Sequence, residues 1–600
     1  MDIPVRRRDL LAGLGVTGSA ALAGCAEQIW SRAESPSTEQ ITLEIKTVPA
    51  DDDLIAAQLS NRLAENLRGA GIDVDQTAID EAELHREVLI ERDYDVFVVR
   101  YDGIEEPDTL RSLLHSDYVG EQGWQNPFSF SDPTGDEYLD DQRRQDGSER
   151  LGTLNDLFSY LVEEDTIPYT VAVFHEHIGA ADARLDVSTV PYTPEEHLHT
   201  LYNPPDVEST DRPLQIGLFG QQLVSRLNPI VVDLTDVNTI LDLVYDPLVR
   251  KDDDEYVPWL ADDVEWDQDG NGAPLEATVT LREGLTWHDD ESIDAEDIEF
   301  TAEFLSDTAL GGAESPITAP RYRGRQSLID DVVVVDSRTV RIPFENVSRE
   351  VAQWAFTIPL LPKHIWKEQS ELIDDQQTRA LTWDNDEPVG SGLFAFDEAD
   401  GDDTLELRLF EDHVLLDTLV DDVLDDSSLD GSSDSVSDEI DDTDEEDRFD
   451  GIEFRILPNA GAAIDDLIDG ELDLIGNELP VDQLETIEEE DSIRLLTRDT
   501  GAFYMIGYNI RHAALGNRRF RGAVSRMIDR EHTVSEFFEG YATPPETNSQ
   551  FVGMYADEWE GDSRTHEYDF PGEEGEIDEE RARELFEEAG YTYTDGELVE

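Results

Sequence analysis

From Ile41 onward the period of the apolar residues switches repeatedly, and that alternation restricts the chain to an α/β architecture. Residues Ile41–Val48 alternate apolar and polar as a strand does, Leu54–Leu67 carry apolar positions at helical spacing, and Gly69 and Gly71 stop that helix. Ile72–Thr77 then reads as the next strand, completing a βαβ-type start. Tyr94–Arg100 and Thr170–Phe174 are near-continuous apolar runs, the pattern of strands covered on both faces in the middle of a sheet. Six hundred residues exceed what one compact core serves, and about 100–200 residues per unit predicts three to five folding units.

The charge balance decides what surrounds those units. Asp and Glu number 142 against 43 Lys and Arg, a formal charge of −99, yet 38% of residues are hydrophobic. The acids therefore coat a folded body rather than dissolve it. At about 1 M salt the Debye length falls to about 3 Å, so such a coat is tolerated in a hypersaline medium, and a halophilic protein is expected. Lysines occur only at 46, 251, 363 and 367. The chain offers no basic stripe to neutralise phosphates, which argues against nucleic acid as a partner.

The first 25 residues read as an address. Arg6, Arg7 and Arg8 followed by Asp9, Leu10 and Leu11 resemble a twin-arginine export signal. The apolar run Leu10–Ala23 is shorter than the roughly 20 residues a spanning helix needs. It closes on Leu22-Ala23-Gly24-Cys25, which resembles the lipobox of exported lipoproteins. Cys25, the only cysteine of the sequence, is the expected lipidation site, and residues 26–40 the expected polar tether. Further on, 417–450 is mostly Asp, Glu and Ser and is expected to be a disordered acidic insertion. Thr200–Pro213, with Asn203-Pro204-Pro205 and Asp211-Arg212-Pro213, is expected to be a linker.

From residue 214 several blocks stand in a characteristic order. They begin with Tyr245-Asp246-Pro247-Leu248-Val249, Pro258-Trp259-Leu260-Ala261 and Leu281–Asp289 (LREGLTWHD), closing on Ala295-Glu296-Asp297-Ile298. Leu361–Trp366, Pro388–Gly392, Gly470–Leu474, Tyr508-Asn509 and Phe520 to Glu531 follow. In these blocks the chain resembles the extracellular solute-binding proteins that serve peptide, nickel and related ABC importers. The resemblance implies an α/β fold of two lobes closing on a ligand, periplasmic-binding-protein-like of type II, with an extra subdomain on the proximal lobe. It implies no enzymatic activity and no cofactor. Its implied partners are a small-molecule or peptide ligand, ABC permease subunits and, through the lipid anchor, the outer face of the cell membrane.

The order of the blocks is rotated. In the family a helix ending Ala-Gly-Tyr leads into the second half of the distal lobe; here Arg581–Tyr591 supplies that helix, and the matching continuation stands at Ile41–Val48, Gly71-Ile72-Asp73-Val74, Tyr94–Phe97 and Glu106-Pro107-Asp108. A circular permutation is expected, with a degenerate partial copy as the alternative. Under it, 41–170 form the second half of the distal lobe and 171–213 the return to the proximal lobe. Residues 214–503 form that lobe with its subdomain, and 504–600 the first half of the distal lobe.

For the ligand site the resemblance singles out Asp246, Tyr504, Tyr508 and Asn509. It also implies an acid for a peptide ammonium near Glu106-Pro107, where Asp102 stands one position displaced and the family's Gly-Trp is missing; Arg100 beside it suits an anionic group instead. Trp287 and His288 read as packing residues, and Gly284 as a turn. The pairs His175/His177 and His197/His199 would share a face on a strand, keeping a metal-complex ligand open, as a sugar is. The run Asp267–Gly272 partly imitates a calcium loop, but a hairpin turn fits its strand-like flanks better. A secreted hydrolase is the remaining alternative, yet no Gly-x-Ser-x-Gly, His-Glu-x-x-His or phosphate-cradling loop occurs.

Overall fold

The computed structural model describes residues 39–205, 212–219, 224, 226–232, 238–252, 255–267, 275–374, 377–401, 403–425, 448–554 and 569–599. The expected export signal, Cys25 and most of the tether lie outside the described residues, as do 426–447 of the acidic run.

One twisted sheet runs through the whole molecule. Its strands are β1 (Thr42–Thr47), β2 (Asp73–Ala78), β3 (Val96–Tyr101), β4 (Tyr169–Asp182), β5 (Leu214–Phe219), β6 (Gly451–Leu457), β7 (Leu474–Ile475) and β8 (Ile493–Tyr508), with Phe394–Asp400 and Thr404–Leu409 on one edge. The order from that edge is Phe394–Asp400, Thr404–Leu409, β6, β5, β7, β4, β8, β3, β1, β2. At one end β1 pairs in parallel with β2 and β3; at the other β5 pairs in parallel with β6 and β7. Each parallel set needs helical crossovers, and helix α1 (Leu54–Gly69) supplies the one between β1 and β2.

The two largest apolar clusters on this sheet lie in different lobes. The distal core gathers apolar side chains of Ile41–Phe174 and Phe503–Leu598, joined by Val232; the proximal core gathers those of Ala181–Leu496. A separate four-stranded antiparallel sheet (Ala261–Asp267, Leu275–Leu281, Val333–Val334, Thr339–Phe344) builds the subdomain on the proximal lobe. The expected two-lobe α/β fold is therefore the observed one.

Among the described strands, β4 and β8 alone belong to both lobes. Antiparallel to each other, they pair Ile493–Asp499 with Asp182–Glu176 in the proximal lobe and Phe503–Gly507 with Phe174–Tyr169 in the distal lobe. Between Asp499 and Phe503 the register slips, and Gly501 sits there at φ +68 with space for a methyl group. A slip with a left-handed glycine is a β-bulge, which bends a strand and breaks its ladder locally. Gly501→Ala is expected to lower stability by about 1 kcal/mol, because the left-handed backbone rather than a clash opposes it; urea unfolding checks the value.

Away from this hinge the lobes touch again. Helices α2 (Pro133–Arg144) and α3 (Gly147–Glu163) meet the subdomain side, where Ser348 N–H donates to Arg143 O at 2.8 Å and Arg150 pairs with Glu350 at 2.9 Å. Arg323 also pairs with Glu121 at 2.7 Å. The first and last described segments meet too: Ile41 N–H donates to Leu598 O at 2.8 Å, and Gln40 bridges Val599.

Three local expectations are corrected. The stretch expected to be disordered from 417 begins as a helix, Leu416–Asp425, with Leu416 and Val420 in the proximal core, and Phe449 at its far side is fully buried. His197 and His199 lie on the helix Pro194–Tyr202, where positions two apart do not share a face. Thr170–Phe174 is the first part of a strand that runs on to Asp182, because that strand serves the second lobe as well. Asp267 pairs with Glu276 across a hairpin whose turn lies outside the described residues. The block at 281–298 folds as read: Gly284 turns at φ +82, Trp287 is buried, and Asp294 caps the helix Ala295–Ser306 in a capping box with Asp297.

Candidate functional site

In open α/β sheets the crevice outside the carboxyl ends of parallel strands receives ligands. Here both lobes turn those ends toward one cavity of about 1340 Å³. The distal lobe contributes Val48 after β1, Val99 and Arg100 at the end of β3, and the loop Ala50–Asp53 that opens α1. The proximal lobe contributes Leu218 and Phe219 at the end of β5, Ile456 and Leu457 at the end of β6, and the turn Gly476–Pro480 after β7. Helix α4 (Ala460–Ile468) presents its first residues from the proximal side, as α1 does from the distal side.

The polar centre is built from five segments. Asp53 is the N-cap of α1, its Oδ1 accepting from Ala56 N–H at 2.8 Å, so the helix start holds it in place. Arg100 on β3 and Tyr504 on β8 are directly opposed across the antiparallel pair and so project to the same side of the sheet. Tyr504 donates its hydroxyl to Asp53 Oδ1 at 3.1 Å. On β4, His175 places its ring 5.2 Å from that of Tyr504 and stacks on Phe538 at 6.0 Å. Glu478 reaches in from the proximal lobe, 3.0 Å from His175 Nδ1 and 3.5 Å from Arg100 Nε.

Burial sets the electrostatics. It pushes the Asp53 carboxyl above its usual range, with the Glu478 charge adding to the effect against the Ala56 amide. It drives the Tyr504 hydroxyl well up, with Asp53 and Glu478 adding to the effect. Glu478 goes the other way: burial raises it, but the charges of His175 and Arg100 and the bond from His175 bring it down to about 2. At neutral pH the centre thus holds a firmly ionised carboxylate between a guanidinium and an imidazole. Around it the wall mixes exposed acids (Asp51, Asp52, Asp80, Asp482) with Arg86, Arg226 and Arg498. Two apolar side chains of the distal lobe, Leu54 and Ile90, are 36% and 39% exposed and belong to the same wall.

Of the residues expected at a ligand site, Arg100 and Tyr504 come together in the cavity wall. The others stand elsewhere. Asp246 is 0% exposed in the proximal core, accepting from Trp259 Nε1 at 2.8 Å, Arg250 Nη2 at 3.2 Å and bonded to His413 Nε2 at 3.0 Å. Tyr508 is buried, its hydroxyl bonded to that of Thr170. Asn509 donates to the carbonyls of Arg92 at 3.1 Å and Tyr94 at 2.9 Å, tying down a turn of the distal lobe. Asp102 is exposed and outside the cavity wall. Asp246, Tyr508 and Asn509 are engaged in these internal bonds, and Asp102 stands outside the wall.

The sequence reading missed Asp53 and Glu478. Asp53 carried a signal, an acid run just before a helical pattern; Glu478 carried only its place four residues after Leu474. The pair His175 and His177 does lie on a strand, but His175 faces Glu478 and His177 Nε2 bonds Gly476 O at 3.0 Å. Among the described residues no group of three or more His, Cys, Asp and Glu is arranged to hold a metal ion. No helix among them is long and apolar enough to cross a membrane.

Comparison with known proteins gives the following. The oligopeptide-binding protein AppA of Bacillus subtilis (strain 168) is 20% identical over 323 residues, 54% of this chain and 50% of the relative. The chain thus spans about half the length of the curated relative it matches. Among solved structures, AppA from Bacillus subtilis in complex with a nonapeptide is 18% identical, covering 64% of this chain and 65% of that one at a TM-score of 0.40. NikZ from Campylobacter jejuni in complex with Ni(L-His) is 17% identical, covering 65% of each at 0.41. The family model "Bacterial extracellular solute-binding proteins, family 5 Middle" matches residues 255–600, more than half of the sequence. The chain belongs to the bacterial extracellular solute-binding proteins, family 5.

Proposed function

We propose that this protein captures a peptide-like small solute between its lobes and delivers it to the permease of an ABC importer. One observation carries the reading: the cavity has both lobes in its wall, and the hinge strands β4 and β8 run from one lobe into the other. A ligand that touches both walls favours the closed arrangement by its differential affinity for it, which is how such a protein signals occupancy. The chemistry of the wall suits a peptide. Leu54, Ile90, Phe219 and Leu457 offer apolar contact, while Arg100, Asp53 and Glu478 offer both signs of charge for termini and polar side chains. The name of the Bacillus relative, an oligopeptide-binding protein, agrees with this.

The reading extends to the whole chain. Arg6-Arg7-Arg8, the run Leu10–Ala23 and Cys25 support twin-arginine export and lipid anchoring at the outer membrane face. The charge of −99 supports a hypersaline setting. Circular permutation is supported by the bond from Ile41 N–H to Leu598 O and by β1, β2 and β3 completing the distal sheet beside β8. The corresponding division puts 41–174 and 503–600 in the distal lobe and 175–502 in the proximal lobe, a few residues from the expected boundary at 170/171.

The test is titration of the purified protein in concentrated salt with short peptides, nickel–histidine and oligosaccharides. Peptides are expected to change tryptophan fluorescence saturably and to be recovered intact. Saturable binding of a sugar or metal complex with no response to peptides would overturn the ligand class, and hydrolysis of the peptide would overturn the binding role.

A further inference from the structure

The lobes are bonded to each other at a second place, on the subdomain side and outside the cavity wall. There the short helix Arg323–Gln326 and residues Ser327, Ser348 and Glu350 of the subdomain face Tyr118, Glu121, α2 and α3 of the distal lobe. Arg323 donates from Nε to Glu121 Oε2 at 2.7 Å and from Nη2 to Glu121 Oε1 at 3.1 Å, the paired geometry in which a guanidinium holds a carboxylate best. Its Cζ lies 5.5 Å from the centre of the Tyr118 ring. The Tyr118 hydroxyl donates to Ser327 Oγ at 3.0 Å, and Arg143 Nη2 donates to the same oxygen at 3.2 Å. Glu350 accepts from Arg150 Nη1 at 2.9 Å and from Gly147 N–H at 2.7 Å.

Parting this seam strands no buried charge. Arg150 is buried, but it keeps Glu106 and, at 3.1 Å, Gln142 Oε1, both in its own lobe. Arg143 keeps Asp108 Oδ1 at 3.0 Å, Tyr118 keeps Arg111 Nη1 at 3.1 Å, and Arg323 keeps Gln326 Oε1 at 3.1 Å. The side chains of Glu121 and Glu350 are 29% and 42% exposed as they stand, so water takes the place of their partners. The penalty for an uncompensated buried charge, which makes most buried pairs hard to break, is therefore absent. Among the described residues Val232 is the one proximal side chain in the distal core; it sits by Gly123, where an added methyl group would stand 3.4 Å from Val232 Cγ2. Bonds that are well formed when the lobes meet and easily released when they part describe a catch rather than a weld.

We propose that this seam is a latch: it stabilises the arrangement in which the lobes face each other across the cavity, so residues that never touch the ligand help to set its affinity. The inference goes beyond the peptide reading, since it holds for any ligand that bridges the lobes, although its affinity readout rests on that reading. An apparent dissociation constant is the intrinsic one divided by the fraction of molecules in the competent arrangement, and the latch raises that fraction. Because its residues stand outside the wall, loosening it weakens all ligands by one common factor and leaves their ranking unchanged.

The test reads two quantities in concentrated salt. One is the distance between spin labels at two exposed positions away from the seam, Glu65→Cys on the distal lobe and Asp262→Cys on the proximal lobe, in the full chain carrying Cys25→Ala. The other is the dissociation constant of each of several short peptides. Arg323→Ala and Glu121→Ala, one from each lobe, are each expected to lengthen the distance without peptide and to weaken every peptide by about threefold to fivefold. The double variant is expected to lose no more than either single one, since both remove the same bonds. Adding Glu350→Ala to Arg323→Ala is expected to bring the loss to about tenfold. Unchanged distances in all variants overturn the latch, as do longer distances with unchanged affinities. Factors that differ between peptides put the residue at the ligand and overturn the remote role, and losses that add in the double variant overturn the pair. If no peptide binds the unaltered protein, the peptide reading falls, and the label distances decide the latch by themselves.

Discussion

Replacing Asp246 by alanine is expected to lower the stability of the protein by about 3–5 kcal/mol and to leave its ligand affinity unchanged. The carboxylate is fully buried and serves three partners at once: Trp259 Nε1, Arg250 Nη2 and His413 Nε2. Burial alone would raise its pKa, yet the bond and charge of His413, the charge of Arg250 and the bond from Trp259 hold it below the usual carboxylate range. Arg250 also lies over the Trp259 ring at 4.4 Å, so the four side chains form one packed unit joining the block at 245–260 to His413. Removing the acid strands an indole N–H, an imidazole and a guanidinium without their shared acceptor, and the cost of a buried unpaired donor exceeds the worth of the bond lost. Urea unfolding gives the first quantity and calorimetric titration, at a temperature where the variant stays folded, the second. A folded variant with normal stability and lost affinity would restore Asp246 to the ligand.

Asp246 also marks where reading from the sequence ends. The fold was legible because its signals are local. The alternation of Ile41–Val48 and the helical spacing of Leu54–Leu67 became β1 and α1, and the continuous run before Arg100 became β3, which lies between two strands with both faces covered. The length of β4 was not legible beyond Phe174. Its continuation, His-Glu-His-Ile-Gly-Ala-Ala-Asp, leaves the distal core and enters the proximal one, so no single period describes it. At the site, Arg100 and Tyr504 were readable from their strands. A buried acid in a sequence with 142 acids is not, because composition cannot separate it from the coat, and the partners that justify its burial lie far along the chain. His413 for Asp246, and His175 and Arg100 for Glu478, become neighbours only through the sheet order.

Lowering the pH from 7 to 5 in constant salt is expected to destabilise the protein by about 2 kcal/mol for each of two imidazoles, His197 and His288. His197 is 1% exposed, and burial lowers its pKa to about 4 in spite of a bond to Thr193 O. His288 is lowered by burial to about 4 as well, in spite of its bond to Gly392 O. Its geometry gives an independent reason: Nε2 faces Gly392 O at 2.9 Å while Nδ1 accepts from Gly390 N–H at 3.2 Å, and a doubly protonated ring has no acceptor left for that amide. The sign follows from linkage. Between the unfolded pKa of about 6.5 and the folded value of about 4 the unfolded chain binds more protons. Stability contributed by the neutral rings is therefore complete above about 6.5 and is lost as the pH falls toward 4. The acid coat works in the opposite direction, since protonated carboxylates repel less, but Asp and Glu titrate mainly below about pH 5, and concentrated salt screens them. The interval from 7 to 5 thus isolates the imidazoles. Glu478, held at about 2, adds a loss of the same sign only below that interval, between about 4.3 and 2. Unfolding free energies at pH 7, 6 and 5 for wild type and His288→Gln decide the matter. The variant, which cannot titrate at that position, is expected to start less stable and to lose about 2 kcal/mol less across the interval; parallel slopes would show that the clamp on Gly390 and Gly392 holds a charged ring equally well.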